Sequence, residues 1–242
     1  MTDEPAATPP MVPALADQPI ASASVDTGSR GQRWPLVAAV SYVVILVIGL
    51  FVAPASPGVG ASGARLVLFY QAHAGGVRFI TWLSAVSLIP LALLLAHLRS
   101  RLHGAARDVN LFGAVGLISS TIVWSWFGAG LALHANTLTP NTARALADVS
   151  SYFGPILTVS IVLLIAPIGV AAWHRESGLP RWLAWVTLMF AAEQTIETIT
   201  IFGRHGFIAP GGPMNFELGA TLFLIWILAA GIATAHRPSA TT

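Results

Sequence analysis

The sequence contains no cysteine and no lysine. Without cysteine, the chain can form no disulfide bond, thiolate metal site, iron–sulfur cluster or covalent c-type haem attachment. Without lysine, it has no residue for a substrate Schiff base or for a phosphate-binding P-loop. No serine nucleophile elbow, glycine-rich phosphate loop or aspartate-rich magnesium motif is present either. The sequence therefore predicts no cofactor and no familiar catalytic motif.

Charged residues are also scarce. Only 9% of the 242 residues are charged and 55% are hydrophobic, whereas about a quarter of the residues in a soluble domain are charged. Four of the ten acidic residues lie within the first thirty positions, which leaves six for the whole apolar body. The net charge is +2, and the arginines stand at the ends of apolar segments rather than in one patch. This pattern indicates membrane topology and not a nucleic-acid partner.

The chain divides into a polar start and an apolar body. Residues 1–32 hold five prolines and no apolar periodicity, which predicts a disordered cytoplasmic tail. Residues 33–237 form the predicted transmembrane domain, and residues 238–242 form a short cytoplasmic tail. Because the apolar runs are continuous and each is near the ~20 residues that cross a bilayer, we predict an all-α membrane protein, a six-transmembrane-helix bundle. The six segments are Trp34–Val52, Phe79–Leu98, Leu111–Leu133, Phe153–Trp173, Leu183–Phe202 and Phe216–Ala235.

The arginines predict the orientation of this bundle. With the N-terminus in the cytoplasm, eight arginines fall on the inner side and four on the outer side, which is the bias expected of membrane proteins. We therefore expect a multi-pass plasma-membrane protein with both termini cytoplasmic. In the outer connection after the third segment, Thr139 followed by Pro140 predicts the start of a short additional helix.

Two glutamates one helical turn apart, Glu193 and Glu197, lie in the fifth segment. Glu193 is about 15 Å from the inner end, near the bilayer centre, and Glu197 is about 6 Å further out. Both share one half of the helix with Gln194, and this half should face the bundle interior because a carboxylate in lipid is costly. Two carboxylates on adjacent turns cannot easily both be ionised in a low dielectric, so one is expected to hold a proton. The pair is predicted to handle protons, as a relay, a cation site or a general acid.

Three polar residues stand at the outer ends of other segments. Arg78, His134 and Glu217 would complete a polar cluster around the glutamates if their side chains turn inward, and we predict them to bind substrate. The alternative is structural, with a buried salt bridge from Arg78 to Glu197 or Glu217 that only orients helices. No His-x-x-x-His or comparable spacing supports a metal site, and none is predicted.

Three tryptophans lie deeper in their segments than the interfacial belt. If Trp124, Trp126 and Trp226 line the same cavity as Gln194, their ring faces would attract an organic cation or a carbocation. We include these four residues in the predicted substrate-binding set. The alternative for the tryptophans is ordinary helix packing.

Three short stretches carry a resemblance to a known group of proteins. They are Thr142–Ser150 (TARALADVS), Leu179–Trp185 (LPRWLAW) and Leu224–Ala230 (LIWILAA). In these, and in the order of its segments, the chain resembles uncharacterised integral membrane proteins of actinobacteria with six transmembrane helices. The resemblance covers the six-segment body and implies an architecture, but it carries over no activity and no functional residue.

Three functions are compatible with these features. The first is binding or transport of a small apolar or cationic solute, with the paired carboxylates exchanging protons or a cation. The second is a membrane enzyme in which a protonated glutamate acts as general acid on a lipid or isoprenoid. The third is an accessory membrane subunit whose carboxylates only pair helices. The predicted partners are the lipid bilayer and a small solute or lipid.

Overall fold

The computed structural model of the protein describes residues 33–235. The predicted tails, residues 1–32 and 238–242, lie outside the described residues. Within the described part the chain is all-helical. In chain order the helices are α1 (Trp34–Val52), α2 (Gly63–Arg99), α3 (Gly104–Leu133), α4 (Pro140–Ser151), α5 (Phe153–Trp173), α6 (Arg181–Glu197), a 3₁₀ helix (Thr198–Phe202), a π-helix (Met214–Gly219) and α7 (Ala220–Ala235).

Two of these helices have the predicted bounds, α1 and α5. The predicted extra helix is α4, and Thr139 caps it by accepting a hydrogen bond from the backbone N–H of Thr142 at 3.2 Å. The second helix begins much earlier than predicted, at Gly63, because Ser62 provides an N-cap there. Its backbone leaves the helical region at His73, so that a short first part is set off from the long apolar part.

The fifth and sixth apolar segments also differ from the prediction. The α-helix of the fifth segment ends at Glu197 and continues as a 3₁₀ helix. Five spans of the described chain are long and apolar enough to cross a membrane; α6, with 17 residues, is not among them. The sixth segment starts with a π-helix before α7. Both irregular turns lie beside the glutamate pair.

Six long helices pack as a closed ring. Each contacts the next in the order α1, α2, α3, α5, α6, α7, and α7 returns to contact α1. We call the half of this ring next to residues 33 and 235 the proximal half. The other half, which carries the loops 53–62, 134–139 and 203–213, is the distal half.

The proximal half is filled with side chains. Its core is apolar and almost completely buried, with Leu94, Leu98, Ile165, Ile168, Leu183 and Ile227 among its members. The helices α3 and α5 come close together because Gly113 lies against the backbone of Leu164. One turn away, the buried Asn110 side chain donates a hydrogen bond of 2.6 Å to the Leu164 carbonyl oxygen. The cavity described next lies in the distal half.

Candidate functional site

A cavity of about 220 Å³ lies in the distal half of the ring, and all six long helices contribute to its wall. Most of the wall is apolar. Its aromatic members are Tyr42, Trp124, Phe153, Phe216 and Phe223, and its polar members are Ser84, Ser87, Thr121, Thr158, Gln194, Glu197 and Asn215. Trp124 stacks on Phe153 with ring centroids 5.4 Å apart, and Tyr42 meets Phe223 edge-on at 6.1 Å. The cavity therefore combines aromatic faces with one carboxylate.

Leu50 and Phe216 mark where the cavity meets the protein surface. Both line its wall, and they are 55% and 54% exposed. They lie at the distal end of α1 and in the π-helix that precedes α7, and α1 and α7 are neighbours in the ring. The cavity thus reaches the side of the bundle between these two helices.

Glu197 is the only acidic residue on the described cavity wall, and it is 3% exposed. One of its carboxylate oxygens accepts a hydrogen bond from Gln194 Nε2, and the other accepts one from Asn215 Nδ2. Both donors are neutral amides. Within residues 33–235 the one ion pair is Arg144–Asp148 in α4, at 2.9 Å. The Glu197 carboxylate therefore has hydrogen-bond donors but no cationic partner among the described residues.

Gln194 connects the two glutamates. Its Nε2 also donates to Glu193 Oε2 at 3.0 Å, so that one amide group faces both carboxylates. This leaves Gln194 Oε1 turned away from them, buried and without a hydrogen-bond partner in the described chain. The second oxygen of Glu193, Oε1, is buried and unpartnered as well. Glu193 is half-buried and lies beside the cavity wall rather than on it.

Asn215 holds the distal end of α6 against the start of the seventh helix. Besides Glu197, its Nδ2 approaches Thr200 Oγ1 at 3.3 Å, and its Oδ1 accepts the backbone N–H of Gly211 at 2.9 Å. Asn215 belongs to the π-helix, a conformation often found at functional sites. One turn later, Gly219 lies so close to Glu197 that a Cβ atom there would be 3.0 Å from the carboxyl carbon. Asn215, through its hydrogen bond, and Gly219, through its close approach, therefore both meet the Glu197 carboxylate from the side of the seventh helix.

The predicted site residues separate into two groups. Gln194, Glu197 and Trp124 lie on the cavity wall, with Glu193 next to them. The other five do not line it. Four of these are exposed on the surface of the bundle: Arg78, Trp126, His134 and Glu217. Trp226 is fully buried and donates its indole N–H to Thr187 Oγ1 at 3.0 Å.

The two groups arise because the sequence predicts how far along the bundle a residue lies, but not which neighbouring helix its side chain faces. Arg78 forms no ion pair with Glu197 or Glu217 in the described structure. A cage of three tryptophans around a carbocation is not formed either, because only Trp124 reaches the cavity.

Sequence reasoning missed Asn215, the second donor to Glu197. The predicted sixth segment begins at Phe216 and therefore leaves Asn215 out. A polar amide directly before an apolar run is a weak signal, but here it is the residue that reaches the acidic helix.

No group of three or more histidine, aspartate or glutamate residues that could hold a metal ion is found in residues 33–235. In comparisons with known proteins, no protein-family model, curated protein or solved structure matches this chain. The resemblance to actinobacterial membrane proteins stays a prediction, and any function has to follow from the chemistry of the site.

Proposed function

We propose that this protein binds a small organic cation with an apolar body in the distal cavity, and that the Glu197 carboxylate is its counter-charge. In the protein without ligand, a proton on the glutamate pair takes the place of the cation. Binding then exchanges a proton for the solute, which is the chemical basis for proton-coupled transport.

The observation that carries this proposal is the surroundings of Glu197. A buried carboxylate without a cationic partner is strongly disfavoured and is normally neutralised by a proton or paired with a cation. The carboxylate lies on the wall of a cavity that is otherwise apolar and aromatic. Aromatic faces attract cations through the ring quadrupole. The unpaired charge and the composition of the wall therefore favour the same class of ligand.

The proposal includes six membrane crossings. The helix α6 has 17 residues and the following 3₁₀ helix has five. At their usual rise per residue they would together extend about 35 Å, enough for a hydrocarbon layer of about 30 Å. The arginine distribution favours cytoplasmic ends and an outward-facing distal half. The solute would then meet the cavity from the outer leaflet or the outer solution.

Calorimetry on the purified protein in nanodiscs tests this function. The probes are heptylamine and butyltrimethylammonium, which have equal numbers of non-hydrogen atoms. We expect at least one of them to bind, and Glu197→Gln to weaken that binding by about tenfold or more, since a buried charge partner is lost. The matched control is Glu217→Gln, the same change at an exposed glutamate of the same half. Unchanged affinity in Glu197→Gln, or no binding of either probe, would refute the proposal.

The same calorimetry measures proton exchange. Titrations in two buffers with different ionisation enthalpies give the number of protons released on binding. We expect the wild-type protein to release protons when the cation binds and Glu197→Gln to release fewer. Cation binding without proton release would leave a binding protein and remove the coupling. If Glu197→Gln lowers stability but changes neither affinity nor proton release, the carboxylate serves only to join helices.

A further inference from the structure

We infer that the cation is a primary or secondary alkylamine, which carries N–H donors, and not a quaternary ammonium. This inference rests on the proposed function and makes its ligand class specific. The observation behind it is that the polar groups of the cavity wall accept hydrogen bonds and have few donors left to offer.

The hydroxyl groups show this first. Five of them lie on the cavity wall. The four that belong to serine or threonine each donate their proton to a carbonyl oxygen of their own helix at 2.7–2.9 Å, so that their oxygens can still accept a hydrogen bond but their protons are engaged. These are Ser84, Ser87, Thr121 and Thr158. The fifth is the Tyr42 O–H, the one hydroxyl of the described wall that keeps its donor.

The N–H donors of the two amide side chains on the wall are also already used in hydrogen bonds. Gln194 Nε2 donates to Glu193 and Glu197, and Asn215 Nδ2 donates to Glu197 and Thr200. Once the cation has replaced the proton, turning the Gln194 amide over would place its oxygen against two carboxylates, so the network of the cation-bound state sets the orientation. Gln194 is 1% exposed and lines the cavity, and its Oε1 has no partner in the described chain. An acceptor buried in this way requires a donor from elsewhere.

An alkylammonium group satisfies these acceptors together. It brings a positive charge for Glu197 and two or three N–H donors, one of which pairs with Gln194 Oε1 once the side chains that cover this oxygen in the unliganded protein move aside. A quaternary ammonium brings the same charge but no N–H, so it would leave the Gln194 oxygen unpaired and desolvated. An alcohol brings a donor but no charge.

The cavity has room for an amine with a short alkyl chain. A volume of about 220 Å³ holds at least about seven water-sized groups of ~30 Å³ each. An unbranched alkyl chain of about this length would lie along the apolar wall, between the Trp124–Phe153 pair and Tyr42. Heptylamine is therefore a suitable probe.

The test compares three ligands that are matched in number of non-hydrogen atoms: heptylamine, butyltrimethylammonium and 1-heptanol. Their affinities for the full-length protein in nanodiscs are measured by calorimetry at neutral pH. We expect heptylamine to bind at least about tenfold more tightly than either of the others. We also expect Gln194→Leu to reduce the preference for heptylamine over butyltrimethylammonium, and Glu217→Gln to keep it.

Each outcome decides between the two proposals. Equal affinity for the two cations, or a preference for butyltrimethylammonium, overturns the amine inference and leaves the proposed function standing. If neither cation binds, or if 1-heptanol binds as tightly as heptylamine, both proposals are wrong. Should Gln194→Leu fail to fold, the ranking of the three ligands on the wild-type protein still decides.

Discussion

Replacing Gly219 by alanine tests the close approach of the seventh helix to Glu197. A Cβ atom at Gly219 would lie 3.0 Å from both the carboxyl carbon and one carboxylate oxygen of Glu197, and closer still to the other oxygen. These distances are too short for unstrained contact, so the carboxylate has to move. When it moves, it loses alignment with Gln194 Nε2 and Asn215 Nδ2.

The expected magnitude follows from three contributions. Overpacking a well-filled site costs about 1–3 kcal/mol, and a weakened hydrogen bond to a charged group costs about 1.5–3 kcal/mol. Alanine in place of glycine within a helix returns about 1 kcal/mol. We therefore expect Gly219→Ala to lower the free energy of unfolding by about 1.5–5 kcal/mol and to weaken heptylamine binding.

The matched control is Gly49→Ala in α1. Gly49 also lines the cavity, but there the added Cβ would meet its first neighbour, a side-chain carbon of Ile80, at 3.5 Å, an ordinary contact. This variant should keep the stability of the wild-type protein or gain up to about 1 kcal/mol. Denaturant titration in mixed micelles, followed by tryptophan fluorescence, gives both values. If the two variants unfold within about 0.5 kcal/mol of each other, the close approach of Gly219 to Glu197 is wrong.

Two further predictions concern the buried indole and the cavity mouth. Thr187→Val should lower the free energy of unfolding by about 1–3 kcal/mol, because the fully buried Trp226 N–H loses its acceptor. The control is Thr195→Val on the same helix, where the hydroxyl bonds only to the Ala191 carbonyl oxygen, and it should change the free energy of unfolding much less. Equal effects of the two substitutions would contradict the Trp226 contact. Since the chain has no cysteine, Leu50→Cys gives a single thiol at the mouth: we expect heptylamine to slow its reaction with a maleimide and not to slow that of Phe51→Cys, which lies outside the cavity wall. Equal protection of both thiols would place the mouth elsewhere.

The sequence predicts the inward direction of Glu197 because helical geometry is local. Glu193, Gln194 and Glu197 lie on neighbouring turns of one helix, and their shared face follows from 100° per residue alone. The cost of a carboxylate in lipid then turns that face inward. For Glu197 this local reasoning and the packed bundle give the same direction.

Which residues surround the glutamate pair depends on how the helices pack against one another, and the sequence does not determine this packing. Glu217 and Asn215 stand two positions apart at the start of the same segment, and the charged one was the obvious candidate. The π-helix from Met214 to Gly219 turns Asn215 toward Glu197 and leaves Glu217 exposed. The pattern of apolar residues does not reveal a π-helical turn, because it inserts one residue without changing composition.

The filled proximal half has an electrical consequence. In the six-crossing arrangement proposed above, Glu197 is followed by only five residues of 3₁₀ helix before the distal membrane surface, or about 10 Å, which is roughly a third of the hydrocarbon thickness. Moving one unit charge across the whole membrane costs about 2.3 kcal/mol per 100 mV. A cation that reaches Glu197 from the distal side would cross about a third of this voltage, which corresponds to about 0.8 kcal/mol per 100 mV. The remaining two thirds of the voltage would then fall across the packed leucines and isoleucines. Because the proposed exchange sends one proton out along the path by which each cation enters, it moves no net charge, and a voltage step should drive neither a displacement current nor a steady current. A brief displacement current would indicate that the cation enters without releasing a proton.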